Sequence, residues 1–367
     1  MSKIRIGVVF GGRSGEHEVS VLSARSVING LDPEKYEVVP LGITREGKWL
    51  PPAGARAALE AGVVNGNGST LAVLPGGEQA LMSLKGGAAE AGLPRLDVIF
   101  PVLHGTYGED GTIQGLFEMA GLPYVGAGVS GSAVGMDKAL MKAIWTAHGL
   151  PQLAWQQVTR IDLEVRREKT VEMLLQKPGL PCFVKPANLG SSVGISRATT
   201  REELEKALDH AAEYDRKLVV EEAAKKPREI EISVLGNDRP EASLPGEIVH
   251  GHEFYDYKAK YLNTKGQETI IPADITPEQT ARIKELAIEA YLALDLNGLS
   301  RVDFFLDETG AIYLNEVNTM PGFTPVSMYA RMWEKSGLSY GQLLDRLIEL
   351  GLERYSDRQR NRVDRGV

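Results

Sequence analysis

The sequence predicts a mixed α/β (α+β) protein with more than one domain. Its 367 residues are enough for two or three hydrophobic cores. Residues 4–10 form an apolar run that ends in the glycine-rich turn 11–15, and we expect a helix to begin near Glu18. Apolar runs then alternate with helical patterns, which is typical of an α/β fold.

The elements that follow differ in character along the chain. Residues 51–95 are rich in Ala, Gly and Pro, and the Asn-Gly pairs at 65–68 mark turns, so we interpret this stretch as a long, variable excursion with little functional content. The elements expected after it are a buried strand at 96–103 with a polar loop at 104–111, a helix at 136–148, and strands at 183–185 and 218–221 around a helix near 200–213.

A clear helix is predicted from Thr276 to about Leu294. Thr276 is its N-cap, Pro277 takes the first helical position, and Gln279 completes a capping box. The chain ends in an arginine-rich polar segment from Arg354, which we expect to be a frayed tail.

Composition and charge exclude several classes of function. The net charge of −8 argues against non-specific nucleic-acid binding, which needs a positive surface. The single cysteine, Cys182, lies in a strand-like run, so we expect a buried thiol in a reducing compartment. No apolar segment reaches the length of a membrane span, and the N-terminus enters a strand without a signal peptide. These features predict a cytoplasmic protein with no membrane partner.

Residues 296–327 are the most informative part of the sequence. They predict a β-hairpin with its turn at 307–310, and the two-residue period places polar side chains on one face. Pairing Leu306 with Ala311 would set Arg301 opposite Glu316. Two carboxylates and an amide oxygen on that face favour Mg²⁺, which prefers oxygen ligands; these groups belong to Asp303, Glu316 and Asn318. The alternative is a solvated hairpin face with a surface ion pair, and the apolar flanking residues argue against it.

Two patterns bear on nucleotide binding. A Gly-x-Gly-x-x-Gly at Gly126, Gly128 and Gly131 lacks the acidic residue that a dinucleotide site requires about twenty positions later, so it does not predict a dehydrogenase. Lys185 instead stands at a strand end before the small, glycine-rich loop 186–194, where backbone N–H groups and an ammonium can hold phosphate. The alternative for this second pattern is an ordinary hairpin loop with a surface lysine.

Four motifs in order resemble those of the D-alanine–D-alanine ligases of the ATP-grasp superfamily. They are residues 11–20, His104–Gly115, Met136–Lys138 and the hairpin from Arg301 to Gly322. The resemblance covers nearly the whole chain apart from 51–95 and the tail. It implies a three-domain ATP-grasp fold with an N-terminal Rossmann-like domain. The domains are expected at 1–126, 127–221 and 222–357, followed by the tail 358–367.

The resemblance implies a two-step reaction. ATP phosphorylates the carboxylate of one D-alanine, and the amine of a second D-alanine displaces phosphate from the resulting D-alanyl phosphate. The product would be D-alanyl-D-alanine for peptidoglycan precursors. Implied cofactors are ATP and Mg²⁺, with two ions expected and Mn²⁺ able to replace them, and the family suggests a homodimer.

The resemblance also assigns roles to residues, position by position. Glu16 would bind the ammonium of the first D-alanine and His104 would lie in the substrate pocket. Arg301 and the Gly322 N–H would stabilise the oxyanion, and Ser327 would bind the second carboxylate. The implied metal ligands are Asp303, Glu316 and Asn318; the implied ATP-binding residues are Lys138, Lys185, Ser191, Ser192, Glu221, Glu222, Ala224, Glu229 and Lys260.

Residues 252–263 resemble the family's mobile loop over the site. Ser191 and Tyr261 would hydrogen-bond with Glu16 and place the incoming amine, and Tyr261 favours a dipeptide over the ester D-alanyl-D-lactate. The chain departs from its relatives at Glu222, where they often carry lysine, and at Val326, where some carry histidine. Two alternatives stay open: the same fold making D-alanyl-D-lactate or a mixed D-dipeptide, and a nucleotide-binding regulatory module without turnover.

Overall fold

The N-terminal part of the protein is built on a four-stranded sheet of order β3-β2-β1-β7. The computed structural model describes residues 3–66, 69–76, 80–85, 88–250 and 267–362. Strand β1 pairs in parallel with β2 and β7, and β3 is antiparallel to β2. The sheet elements are β1 (Ile4–Gly11), β2 (Tyr36–Ile43), β3 (Trp49–Leu50) and β7 (Val98–Val102), with helices α1 (His17–Gly30), α2 (Pro52–Ala61) and α3 (Thr112–Ala120).

Residues 51–95 contain regular structure rather than turns alone. After α2 they form an antiparallel sheet of β4 (Thr70–Val73), β5 (Leu81–Lys85) and β6 (Ala88–Gly92). Leu71 and Leu81 are buried in one cluster with Val9 and Leu41 of the main sheet. Apolar burial therefore attaches this excursion to the N-terminal sheet.

A second sheet, of order β10-β9-β11-β8, occupies the middle of the chain. Its strands are all antiparallel to their neighbours. Two short helices precede the first strand of this sheet, and two longer helices connect strands of the sheet. The elements are α4 (Val129–Met136), α5 (Lys138–Ala147), β8 (Trp155–Thr159), α6 (Arg160–Gln176), β9 (Cys182–Pro186), β10 (Ser196–Ala198), α7 (Arg201–Tyr214) and β11 (Lys217–Glu222).

The predicted helix 136–148 is divided at Asp137. The Asp137 carboxylate accepts hydrogen bonds from the N–H groups of Ala139 and Leu140, at 3.1 and 3.0 Å, and so caps α5. An aspartate N-cap satisfies donors that a helix start leaves free. The helix that carries Lys138 therefore begins at Lys138 itself.

The third sheet holds the predicted hairpin. Its order is β15-β14-β12-β16-β17, with β13 paired to β12. Helix α8 has the predicted capping box of Thr276 and Gln279 with proline at its first turn. The elements are β12 (Arg228–Gly236), β13 (Glu241–Ala242), β14 (Gly246–His250), β15 (Gln267–Ile270), α8 (Pro277–Ala293), β16 (Gly298–Leu306), β17 (Ile312–Asn318), α9 (Met328–Lys335) and α10 (Tyr340–Arg358).

The predicted register of the hairpin was wrong. Leu306 pairs with Ile312 rather than Ala311, and the register shifts by one residue between Asp303 and Phe304. Asn315 is the extra residue of this bulge, so Asp303 lies opposite Glu316 and Arg301 opposite Asn318. A bulge places two residues against one, which a two-residue period cannot reveal. The four polar residues still face one way.

The frayed tail expected from Arg354 was also wrong. Arg354 belongs to α10, and its guanidinium lies 4.1 Å from the centre of the Tyr124 ring. Arg354 Nη2 also donates to the Tyr124 carbonyl at 3.3 Å. Helix α10 buries Leu343 and Leu347 in the same cluster as Ile6 of β1. The last helix of the chain thus closes the N-terminal core.

Candidate active site

One cavity brings together residues from the N-terminal, middle and C-terminal parts of the chain. The predicted site residues that line it are Glu16, His104, Lys138, Ser191, Ser192, Arg301, Glu316, Asn318 and Gly322. The first and the last of these residues, Glu16 and Gly322, are separated by most of the length of the chain. Their convergence on one cavity supports the set of site residues predicted from the sequence.

Glu16 reaches across the cavity instead of capping its own helix. It occupies the N-cap position of α1, yet its side chain makes no capping hydrogen bond. The Ser191 hydroxyl donates to Glu16 Oε1. Ser191 and Ser192 both have positive φ, 54° and 59°. Non-glycine residues in this region store strain that is commonly found at ligand sites. The carboxylate is therefore presented to the cavity between the first and second sheets.

The polar face of the hairpin is an ordered network. Arg301 donates from Nε and Nη2 to the two oxygens of Asp303, each at 2.7 Å. Asn318 Nδ2 donates to Asp303 Oδ2 at 3.0 Å, and Arg301 Nε lies 3.1 Å from Glu231 Oε2. Arg301 is 10 % exposed, so this is no solvated surface pair. Because Arg301 lines the cavity, its positively charged guanidinium can stabilise a negative charge that forms there.

The donor set on this face fits a divalent cation. Asp303 and Glu316 are direct cross-strand partners, and Asn318 adds an amide group. Carboxylate and amide oxygens suit Mg²⁺, which usually keeps substrate phosphates among its ligands. Each carboxylate oxygen has two lone pairs, so Asp303 keeps acceptor capacity beside Arg301.

Lys138 and Lys185 approach the polar face of the hairpin from helix α5 and strand β9. Lys138 Nζ lies 3.3 Å from Glu316 Oε2 and donates to the Leu189 carbonyl at 2.8 Å. Lys185 Nζ lies 3.4 Å from Asn315 Oδ1, the bulge residue next to Glu316. Two ammonium groups beside two carboxylates can hold a phosphate and its cation together.

A third lysine was missed by the sequence analysis. Lys142 pairs with Glu221 Oε1, and Lys185 Nζ lies 2.7 Å from Glu221 Oε2. Lys142 is 1 % exposed and Glu221 2 %. Burial acts to raise the pKa of Glu221, but the two ammonium groups outweigh it and lower that pKa. The position of Lys142, four residues after Lys138 in an apolar helix, could have indicated a shared face.

Glu109, also missed, binds the loop that follows the hairpin. Its Oε1 accepts from the Met320 N–H at 2.9 Å and its Oε2 from the Gly105 N–H at 2.6 Å. Burial, reinforced by the Glu16 charge, raises the pKa of Glu109 to about 8. His104 Nδ1 lies 2.9 Å from the Met320 carbonyl. Both backbone polar groups of Met320, its N–H and its carbonyl, are thus hydrogen-bonded, two residues before Gly322.

His104 lines the cavity, but protein groups occupy both of its ring nitrogens. A carbonyl only accepts, so Nδ1–H donates to Met320 O. Burial lowers the pKa of His104, and the neutral ring then accepts at Nε2 from Ser23 Oγ, 3.1 Å away. The Phe323 N–H donates to Ser23 Oγ at 3.3 Å. These contacts position the 320–323 loop.

The remaining predicted residues lie at the edges of the site or outside the described residues. Ser327 is the N-cap of α9, and its hydroxyl accepts from the Thr324 N–H at 3.1 Å. Glu222 and Ala224 lie where β11 leads toward β12, on which Glu229 pairs with Phe305. Lys260 and Tyr261 fall outside the described residues, as does the whole of the predicted loop 252–263.

Cys182 is a packing residue, as expected. It is fully buried in β9, and burial raises the pKa of its thiol to about 11. A protonated thiol in an apolar core is a poor nucleophile.

The glycines at 126, 128 and 131 serve close packing. Gly126 has a φ of +101°, and a Cβ on Gly298 would meet the Gly126 Cα at 3.0 Å. A Cβ on Gly131 would meet the Asp295 carbonyl oxygen at 2.5 Å. Close backbone approach therefore explains Gly126 and Gly131, two of the three glycines in the pattern, without a dinucleotide.

Comparison with known proteins agrees with this geometry. Residues 5–127 match the family described as D-ala D-ala ligase N-terminus, and residues 144–349 match D-ala D-ala ligase C-terminus. The chain belongs to the D-alanine–D-alanine ligase family. The D-alanine–D-alanine ligase of Heliobacterium modesticaldum is 50% identical over 366 residues, covering 100% of this chain and 99% of the relative. That of Natranaerobius thermophilus is 47% identical over 365 residues, 99% of each chain.

Solved structures of the ligase family share the fold. The D-alanine–D-alanine ligase from Coxiella burnetii has a TM-score of 0.82 at 35% identity, covering 98% of this chain and 97% of that one. The VanG D-Ala:D-Ser ligase from Enterococcus faecalis has a TM-score of 0.85 at 35% identity, covering 95% and 100%. The predicted fold class, three-domain ATP-grasp, is confirmed. Among the residues described, no helix is long and apolar enough to span a membrane.

Proposed function

We propose that this chain is an ATP-dependent ligase that joins two D-alanines into D-alanyl-D-alanine through a D-alanyl phosphate. The observation that carries the proposal is the meeting of Glu16 and Ser191 with the hairpin face in one cavity. A carboxylate that can take an ammonium then lies beside a cluster that can take phosphate and metal. An amino acid bound to Glu16 would point its own carboxylate toward the cluster.

The residues of the chain support phosphoryl transfer by positioning and charge. Lys138 and Lys185 would hold ATP phosphates, since their ammonium groups border Glu316 and Asn315. Asp303, Glu316 and Asn318 would hold Mg²⁺, with two ions proposed and Mn²⁺ as a substitute. The cation would supply charge neutralisation on the transferred phosphoryl group. Ser192 and the backbone of 221–224, with Glu229 and Lys260, would complete the nucleotide site.

The second step needs an oxyanion site and a place for the incoming amine. The amine of the second D-alanine would attack the acyl carbon of D-alanyl phosphate and form a tetrahedral oxyanion. The oxyanion would then collapse: the C–O bond to phosphate breaks, inorganic phosphate leaves, and the amine nitrogen loses a proton as the amide forms. Arg301 and the Gly322 N–H would stabilise that oxyanion, and the Met320 contacts of His104 and Glu109 would hold the Gly322 loop. Ser327 would bind the second carboxylate.

Specificity for the second substrate is part of the proposal. A solved structure of similar fold is a D-Ala:D-Ser ligase, so enzymes of this fold can differ in their second substrate. We expect Tyr261→Phe to raise use of D-lactate relative to D-alanine, because Tyr261 would place the amine. Competition between the two acceptors measures this directly, and an unchanged ratio would remove Tyr261 from the specificity argument.

Organisation and setting complete the proposal. We propose domains at 1–126, 127–221 and 222–357, each containing one of the three larger sheets, and a tail at 358–367 that begins at the last residue of α10. We propose a location in the bacterial cytoplasm, because the product would be a peptidoglycan precursor, and the family suggests a homodimer.

The test is coupled ADP release with Mg²⁺–ATP and D-alanine. Release of phosphate and D-alanyl-D-alanine with D-alanine alone is the expected result, with L-alanine as the control. ADP release only after D-lactate or D-serine is added would move the proposal to a mixed product. Folded protein that binds ATP and turns over none of these acceptors would contradict it.

A further inference from the structure

We propose that Lys142 is a positioning residue that keeps Lys185 available to ATP phosphates by neutralising Glu221. The inference rests on the proposed function in one respect, the role of Lys185 as a phosphate-binding lysine. The observations that carry it are the burial of Lys142, the division of the Glu221 carboxylate between two lysines, and the location of Lys185 at the bulge.

Lys142 cannot itself contact a ligand in the cavity. Its side chain is 1 % exposed on α5, whereas Lys138, one turn earlier on the same helix, is 9 % exposed and lines the cavity. Lys142 is paired with Glu221 Oε1, and Glu221 lies in the central strand pair β11–β9. We therefore expect Lys142 to act on a ligand mainly through Glu221, the carboxylate with which it pairs, while its charge also acts on Lys185 and Glu316.

The Glu221 carboxylate is shared between two ammonium groups. Oε1 takes Lys142, and Oε2 accepts from Lys185 Nζ at 2.7 Å. With both lysines charged, the triad of Lys142, Glu221 and Lys185 carries a net charge of +1, from two positive groups and one negative group. Lys185 can then keep one hydrogen bond to Glu221 and direct its remaining donors outward, since an ammonium has three.

Without Lys142 the balance changes. Glu221 and Lys185 would form a neutral buried pair, and a phosphate would compete with an undivided carboxylate for the same ammonium. Such competition is strong where water is scarce, because charges interact more strongly at low local dielectric. Lys185 Nζ also lies 3.4 Å from Asn315 Oδ1. Its remaining donors are therefore close to the polar face of the hairpin, where we propose the metal ligands. Lys142 thus acts on phosphate affinity at a distance.

The experiment compares affinities for ATP and for adenosine in the absence of D-alanine. Lys142→Met should weaken ATP binding on the order of tenfold, within the usual coupling of one charge network, and leave adenosine binding unchanged. In turnover, KM for ATP should rise while KM for D-alanine stays constant. Lys142→Met/Glu221→Gln should recover most of the ATP affinity, because the competing carboxylate is then gone.

A matched control separates charge balance from loss of a buried lysine. Lys217 is 13 % exposed and pairs with Asp137, which also accepts backbone donors of α5. Lys217→Met should lower the melting temperature and leave the ratio of ATP to adenosine affinity unchanged. If Lys142→Met does not fold, Lys142→Gln replaces it, because glutamine removes the charge and keeps a polar side chain; an ATP affinity equal to that of the wild type would overturn the inference.

Several results would contradict the inference. They are an unchanged ATP affinity in folded Lys142→Met, an equal loss for ATP and adenosine, and a double variant that binds ATP as poorly as the single one. Turnover of the wild-type protein with D-alanine is a separate measurement that tests the proposed ligase chemistry. Wild-type protein that binds ATP without turnover would overturn the proposed ligase chemistry, while the variant affinities would still decide the role of Lys142.

Discussion

At the scale of single residues, the site depends on a few charges with fixed partners. Asp303 is held by Arg301 and Asn318, Glu316 faces Lys138, and Glu16 faces Ser191. Each carboxylate thus has an oriented environment before any ligand arrives. Preorganised charge of this kind lowers the reorganisation needed during a reaction.

Glu316→Gln should abolish Mg²⁺-dependent turnover, by at least about a hundredfold, because the amide removes a charge from the metal set. Steady-state assays across a Mg²⁺ titration measure this. Glu308→Gln is the matched control, since Glu308 lies in the turn of the same hairpin and is 58 % exposed. Turnover that survives Glu316→Gln with an unaltered Mg²⁺ dependence would remove Glu316 from the ligands.

Glu109 should make stability depend on pH. Its pKa in the fold, about 8, is raised above the ordinary 4.5 by burial and by Glu16. The folded state therefore binds a proton that the unfolded state has lost, and stability falls as pH rises from about 4.5 to about 8. The slope from one such group is at most about 1.4 kcal/mol per pH unit.

Urea unfolding across this pH range measures the effect. Glu109→Gln should flatten the slope, whereas the exposed Glu308→Gln should keep it. A Glu109→Gln variant with the wild-type slope would show that Glu109 ionises normally in the fold.

At the scale of elements, the site is placed by how helices and strands approach one another. Helix α4 packs against the chain before β16 through Gly131, and a Cβ on Gly135 would meet the Thr319 side chain at 2.6 Å. Thr319 lies between Asn318 and Met320. The small residues of α4 therefore set the distance between that helix and the end of the hairpin proposed to hold the metal.

Gly131→Ala should destabilise the protein by about 1–3 kcal/mol, because its Cβ would meet the Asp295 carbonyl oxygen and backbone must move. Chemical denaturation measures the free energy of unfolding. Gly115→Ala in α3 is the control, since no atom lies within 4 Å of its Cβ; there alanine should be neutral or stabilise by about 0.5–1 kcal/mol. Equal effects at the two sites would contradict the packing argument.

At the scale of the whole molecule, the last helix holds the first sheet. Leu343, Leu344 and Leu347 of α10 share a buried cluster with Ile6 and Val8 of β1. Lys35 and Tyr36, which precede and begin β2, both contact Asp345, at 2.6 and 2.8 Å. The last helix that the structure describes therefore shares a hydrophobic core with the N-terminal sheet.

A chain that stops at Gly337 should fail to fold, because the apolar face of the N-terminal sheet would lose its cover. A chain that stops at Arg358 should fold and turn over normally, since Gln359 to Asn361 are exposed. Soluble yield, circular dichroism and the ligase assay compare the two. A folded, active short chain would show that α10 is dispensable.

Much of the site could be predicted from motifs, and the failures have physical reasons. Glu16, Lys138, Arg301 and Glu316 were named from sequence and meet in one cavity. Asn315 was missed because a bulge changes strand register without changing the pattern of residue types. Lys142 and Glu109 were missed because burial of a charge depends on partners distant in sequence, here Glu221 and Met320.

The family, the α/β class, the capped helix α8 and the residue types of the site could all be predicted from the sequence, because these depend on local patterns and ordered motifs. Tertiary structure alone decided which charges share a partner, which way Glu16 points and where the hairpin shifts register. Those outcomes depend on contacts between residues tens to hundreds of positions apart, such as Glu16 with Ser191 and Arg354 with Tyr124. No local pattern encodes such contacts, since they form only when the three sheets pack together.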